Sequence, residues 1–338
     1  MESFIDRIKK PESMIYDGGF GSQLFARGIE LANSAVANDE HPDAVIDIHR
    51  AYIEAGADAI GTNTFVASEL HLEMAKRSPS DAGNLAKKAA NLARVAADST
   101  DRNIYVGGSV GPSPGAIESD AGDTTFGIAD TLVRDAHTRI IEALATGGVD
   151  FICIETQFSA KEAAIACDIA RRTGLPIAIN LTFKYTRDRK TDEIVYKTDW
   201  GHSPSDLLDI LASGTFSNGE NLLEHVQVFG LNCGAETRHD EHTGMAYAIC
   251  GAQQLKVAME THQINRRIMA YPNAGMPKLD KQHQTFYSQT PTDMASELTK
   301  LIDNGGYFIG GCCGTTPEHI RAFRDILDNQ ISNRDSEK

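Results

Sequence analysis

Eight short apolar runs recur along the 338-residue chain, and most are followed by a helical pattern. In order they are "SMIYDGG" (13–19), "ADAIGTNTF" (57–65), "NIYVGGSVG" (103–111) and "VDFICIET" (149–156), then "PIAINLTF" (176–183), "VQVFGLNCG" (226–234), "RIMAYPNAG" (267–275) and "GYFIGGCCG" (306–314). Their middles are nearly continuous in apolar residues, as in strands of a parallel sheet buried on both faces. Between them, Ile128, Leu132, Ala136, Ile140 and Leu144 recur every fourth residue and predict one apolar helix stripe over 128–146. Segment 42–55 has Pro42 near its start and Gly56 after its end, the usual asymmetry of helix boundaries. Further helices are predicted over 81–98, 159–173, 244–262, 291–304 and 317–328. Strand–helix alternation repeated eight times predicts an α/β fold, a (β/α)8 TIM barrel forming one domain over 1–330. A doubly wound open sheet is the alternative, and no G-x-G-x-x-G fingerprint follows any strand. The tail 331–338, "ISNRDSEK", is expected to be disordered.

In a barrel the C-terminal ends of all strands converge on one mouth, where active sites sit. Those ends read Asp17-Gly18-Gly19, Thr62-Asn63-Thr64, Ser109-Val110-Gly111, Glu155-Thr156, Thr182, Asn232-Cys233-Gly234, Asn273-Ala274-Gly275 and Cys312-Cys313-Gly314. Polar residues and glycines thus gather where apolar strands stop. One connection stands out: 184–225 is long and polar, and it holds the only tryptophan, Trp200. It reads as a functional lid or as a surface hairpin.

Cys233 ends the sixth run and Cys312-Cys313 the eighth, so a barrel brings all three to one rim with a single strand between. Three thiolates there suit Zn²⁺, with the fourth tetrahedral position open for a ligand, the pattern of a catalytic rather than a structural zinc. The competing reading is a set of buried small hydrophobes, which is assigned to Cys153, Cys167 and Cys250. "RHDEH" (238–242) places His239 and His242 near Cys233, as a second metal site or a solvated loop. Net charge is −15, with 47 acidic against 32 basic residues and no basic run, which argues against nucleic acid. No stretch reaches the length of a membrane span, and "MESFIDRIKKPES" lacks the apolar core of a secretory signal. Six sparse cysteines then read as thiols in a reducing cytoplasm.

Together "DGGFGSQL", "HRAYIEAGADAIGTNTF", "GLNC" and "GGCCGTTPEHI" resemble the homocysteine S-methyltransferase family over essentially the whole chain. The resemblance implies zinc on Cys233, Cys312 and Cys313, with homocysteine sulfur taking the open position. It also implies Asp17 and Glu155 as partners of the substrate ammonium; a helix cap or a satisfied buried carboxylate is the alternative for each. Backbone N–H groups around Gly18, Gly19 and Ser109 are candidates for the carboxylate. Asn232 is a further substrate-site candidate that orients the site or approaches the vacant zinc position, with a structural turn as the alternative.

The methyl donor is less legible. "YPNAGMP" and "FICIETQFSAKEA" resemble the homocysteine module of cobalamin-dependent methionine synthase. "DGGF" and "TFVASELHLE" resemble the betaine enzymes, and "GSVGP" is shared with users of S-methylmethionine. No folate or corrinoid module and no long C-terminal arm is expected. A quaternary or sulfonium donor prefers an aromatic cage, for which Phe20, Phe65, Phe126, Tyr185 and Trp200 are candidates, with core or lid packing as the alternative. The resemblance therefore leaves two routes: a small sulfonium or ammonium donor, or a separate methylcorrinoid protein that docks over the mouth. A zinc-dependent subunit that only presents homocysteine, and an unrelated barrel with a structural zinc, are the remaining readings.

Overall fold

A computed structural model describes residues 2–234, 239–279, 281 and 285–336. All eight predicted strands are present: β1 (Met14–Ile15), β2 (Ala59–Gly61), β3 (Tyr105–Val110), β4 (Phe151–Gln157), β5 (Ile177–Leu181), β6 (Val226–Cys233), β7 (Arg267–Pro272) and β8 (Gly306–Ile309). They pair in parallel in the order β1-β8-β7-β6-β5-β4-β3-β2. The two end strands meet across a seam, where Asp58 N–H donates to the Ile15 carbonyl at 2.7 Å and Gly61 N–H to Asp17 Oδ2 at 2.7 Å. The sheet is therefore a nearly closed (β/α)8 barrel, and the open-sheet alternative is set aside.

The strand pattern sorts two cores. Ile15, Ile60, Val106, Ile152, Ile154, Ile177, Ile179, Phe229, Leu231 and Ile309 point outward under the helices. The alternate residues Tyr16, Tyr105, Phe151, Cys153, Ala178, Val228, Met269, Tyr271 and Phe308 fill the barrel interior. A short N-terminal helix, Phe4–Lys9, belongs to that interior: the Phe4 ring stacks on Phe151 at 4.2 Å and lies 6.1 Å from Phe308. Phe4→Ala is expected to lower the unfolding free energy by about 3 kcal/mol, the usual cost of a buried phenylalanine. Urea titration checks this, and a loss below ~1 kcal/mol, typical of surface positions, would mean that the helix frays rather than plugs the barrel.

Several elements differ from the sequence reading. In helix Asp130–Thr146 the buried stripe runs through Val133, Ala136, His137, Ile140, Ile141 and Leu144, while Leu132 is 52% exposed. An exact every-fourth spacing drifts by about 40° per step against 3.6 residues per turn, which carries Leu132 off the face. Segment 184–225 holds an antiparallel hairpin, Lys184–Arg187 with Ile194–Lys197, and then the missing barrel helix Pro204–Ala212. Its start was readable in "SPSD": Ser203 and Asp206 form a capping box around Pro204. A second hairpin, Pro277–Leu279 with Thr285–Tyr287, was not anticipated. The last helix runs Pro317–Ser336, so the backbone of 331–336 is helical where a disordered tail was expected. No glycine or proline after Pro317 stops it. No helix among the described residues is long and apolar enough to cross a membrane.

Candidate active site and metal centre

The strand ends frame a cavity of about 210 Å³. Its lining includes Asp17, Gly18 and Gly19 from β1, Thr62 and Asn63 after β2, Ser109 from β3, Glu155 and Thr156 from β4, Tyr271 from β7, and the three cysteines. Among the described residues, no Lys, Arg or His lines it.

Cys233, Cys312 and Cys313 place their sulfurs within 4.8 Å of one another, and Cys233 and Cys312 lie 2.9 Å apart as free thiols. A tetrahedral zinc with ~2.3 Å bonds sets its sulfurs ~3.8 Å apart, within that span, so the donor set fits the metal. Among the described residues these three form the one converging group of metal-ligating side chains. Hydrogen bonding among them pushes Cys312 up, through Cys233 first and then Cys313, and holds Cys313 well below the usual thiol range.

Local backbone geometry makes this convergence possible. Cys233 has φ 57°, a left-handed conformation that breaks the strand alternation at the end of β6 and lets Cys233 line the cavity beside the inward-facing Asn232. Thr156 does the same at β4 with φ 55°. Asn232 joins the two: its Oδ1 accepts from Thr156 N–H at 2.8 Å and its Nδ2 donates to Thr156 Oγ1 at 2.6 Å. Asn232 is fully buried and absent from the cavity lining, and its side chain ties β4 to β6 beside Cys233. The Cys312-Cys313 turn is tied to β7, with Cys312 N–H on the Pro272 carbonyl at 2.8 Å and Cys313 N–H on Asn273 Oδ1 at 3.0 Å.

The two predicted carboxylates both face the cavity. Burial raises Asp17 well above the ordinary carboxylate range; the Gly61 N–H opposes the rise and the Glu155 charge adds to it. Burial pushes Glu155 up to about 6, against hydrogen bonds from Ser109 Oγ to Oε1 and from Tyr271 to Oε2 at 3.2 Å. Two carboxylates facing the cavity, with no basic side chain among the described lining residues, call for a cationic ligand group. Ser109 therefore acts on Glu155 through its hydroxyl. The expected carboxylate role of backbone N–H groups needs correcting at two positions, because Gly19 N–H donates to Thr315 Oγ1 at 3.0 Å and Ser109 N–H to Thr62 Oγ1 at 3.0 Å. Gly18 remains in the lining.

Of the aromatic candidates, Phe20 and Phe65 line the cavity. Phe126 is 83% exposed and Trp200 is 41% exposed on their loops. Tyr185 stacks on His239 and His242 at 4.6 and 4.5 Å, and His242 Nδ1 meets the Tyr196 hydroxyl at 2.9 Å. The two histidines thus pack against the first hairpin; Arg238 of the same motif lies outside the described residues. Cys153 and Cys167 are buried and Cys250 is half-buried, in keeping with the small-hydrophobe reading.

Residues 14–327 match the family model described as homocysteine S-methyltransferase. The chain belongs to that family. It is 32% identical over 335 residues to a methionine synthase of Mycobacterium tuberculosis and 30% identical over 329 residues to one of Mycobacterium leprae. These alignments cover 94% and 91% of this chain but 25% and 24% of those proteins, so the chain spans about a quarter of their length. Among solved structures, the metallated form of the homocysteine methyltransferase MmuM from Escherichia coli superposes with a TM-score of 0.68 at 21% identity, covering 95% of this chain and 98% of that one. That likeness shows the shared barrel.

Sequence reading placed Thr156 and Asn273 at strand ends on the mouth but gave them no role, and it missed Tyr271 as a support of the candidate site. For Tyr271, inside β7, the inward alternation with Met269 was the available signal.

Proposed function

We propose that this chain transfers a methyl group to the sulfur of L-homocysteine, giving methionine, with zinc held by Cys233, Cys312 and Cys313. The observation that carries the reading is that three thiols and two carboxylates face one cavity with no basic side chain among its described lining residues. A free thiol is only a few per cent ionised at neutral pH, and bound zinc supplies the remedy by keeping the substrate sulfur as thiolate. The rest falls to the protein. Asp17 and Glu155 take the substrate ammonium, Ser109 and Tyr271 hold the Glu155 carboxylate in place, and the Gly18 turn is the candidate for the substrate carboxylate. The sulfur attacks the donor methyl carbon in line, a C–S bond forms, and the donor's bond to methyl breaks with its electron pair leaving on the donor heteroatom. The thiol proton goes to solvent when homocysteine binds.

For the donor we favour a small sulfonium or ammonium compound such as S-methylmethionine or betaine, because Phe20, Phe65, Tyr16 and Tyr271 give the cavity aromatic walls. The second reading, methyl delivery by a separate methylcorrinoid protein, is favoured by the methionine synthase relatives, which extend far beyond the matched quarter. Purified chain, assayed with homocysteine and each of S-methylmethionine, betaine and methylcobalamin while zinc is measured on the same sample, separates them. Methionine formed from a small donor without added protein supports the first. Zinc and homocysteine bound without turnover on any small donor turns the assignment to the second. A cytoplasmic setting rests on the free thiols that the site requires.

Glu155 gives this reading a pH signature. Its folded-state value of about 6 lies above the ordinary 4.5, so its charge is present above pH 6 and lost as pH falls through that value. Methionine carries the same ammonium without an ionisable thiol, so its affinity is free of the thiol's own titration. Calorimetry is expected to show affinity falling by up to about tenfold per pH unit below that point. A flat profile across it would take Glu155 out of the ammonium site.

A further inference from the structure

Two of the site's turns share a construction. Cys233 is followed by Gly234 at φ 78°, and Cys313 by Gly314 at φ 80°. At each glycine a tyrosine ring occupies the place of a side chain: a Cβ on Gly234 would lie 2.5 Å from the Tyr247 ring, and one on Gly314 would lie 2.1 Å from the Tyr287 ring. The glycines are needed for both the left-handed backbone and the close ring. Tyr247 is committed to the scaffold, donating to the Asn232 carbonyl at 3.2 Å and accepting from Phe183 N–H at 3.1 Å. Tyr287 comes from the second hairpin and faces the metal-ligand turn instead.

We propose that Tyr287 is a positioning residue of the metal centre, its ring clamping the Cys313-Gly314 turn and its hydroxyl donating a hydrogen bond to the Cys313 sulfur. The inference rests on the zinc reading above. The hairpin that presents Tyr287 is itself joined to that turn. Ser288 N–H donates to the Met276 carbonyl at 3.2 Å, Gln289 N–H to the Ala274 carbonyl at 2.9 Å, and Ala274 N–H to the Cys313 carbonyl at 3.0 Å. Ring, hairpin and cysteine therefore move as one unit. A divalent cation with three thiolates carries net negative charge, and substrate sulfur adds another. An O–H donor at Cys313, the most exposed of the three cysteines, offsets part of that charge.

The test compares full-length wild type with Y287F and Y287L. Zinc affinity is read by competition with a colorimetric chelator, and the ligand field by the thiolate charge-transfer band of the cobalt-loaded protein. Y287F is expected to bind zinc about tenfold more weakly and to shift the cobalt band with its thermal midpoint unchanged, the scale at which outer-sphere partners act. Y287L is expected to weaken binding at least as much. Y287F matching wild type in both readouts overturns the hydrogen bond, whether or not Y287L is impaired. A wild type that takes up no zinc removes the metal centre itself and this role with it. A zinc-loaded wild type with an unaltered Y287F removes only the present inference.

Discussion

Cys312→Ser is expected to strip the metal and abolish methyl transfer together. A serine hydroxyl does not ionise near neutral pH, so the substitution leaves two thiolates where three converge within 4.8 Å. Zinc binding to sites of this kind is worth on the order of 10–16 kcal/mol, and losing one of three ligands forfeits several of those, about 10³-fold in affinity. Turnover should fall at least as far, because substrate thiol then stays protonated at neutral pH. The fold should survive, since Cys312 is only half-buried and the turn is held by backbone bonds to Pro272 and Asn273. Metal content, circular dichroism and a homocysteine assay on one preparation check this. Full activity in Cys312→Ser would instead mean that any zinc is structural and that the chemistry lies elsewhere.

Glu155→Gln is expected to damage substrate recognition while leaving zinc in place. Ser109 and Tyr271 each donate to one Glu155 oxygen. A glutamine turns an NH₂ toward one of those donors and removes the charge that faces the ammonium. Removing one partner of a buried charged pair costs about 2–5 kcal/mol, or roughly 30-fold to a few thousand-fold in kcat/KM. The loss should appear in KM for homocysteine, with the acid limb near pH 6 removed from the profile. Stability should move the other way. The raised carboxyl pKa means that ionised Glu155 opposes folding above pH 6, so the neutral amide is expected to hold or raise the thermal midpoint at pH 8. A homocysteine KM within about threefold of wild type would sink the ammonium assignment, because a single lost contact to charge already exceeds that.

The fold was legible because its signal is local. Eight apolar runs, each a few residues long, report strands buried on both faces, and glycines and polar residues mark where each stops. The helix over 204–212 was equally local, with "SPSD" at its start, and was lost only because the polar hairpin before it masked the alternation. Leu132 shows the limit of such patterns, since a spacing of four mimics a helix face and then drifts off it.

The sequence alone therefore determined the barrel, the rim on which the cysteines fall and the two carboxylates at its mouth, because strand patterning and strand ends are properties of adjacent residues. Tertiary structure decided which of those residues face the cavity. The left-handed backbone at Thr156 and Cys233, the Asn232 bridge between β4 and β6, and the engagement of the Gly19 and Ser109 N–H groups all depend on partners 47 to 296 positions away. The same holds for Tyr287, whose meaning appears only when its ring is laid on Gly314. No periodicity along one strand encodes a contact whose other half lies on another strand. Closing the barrel is what brings the halves together.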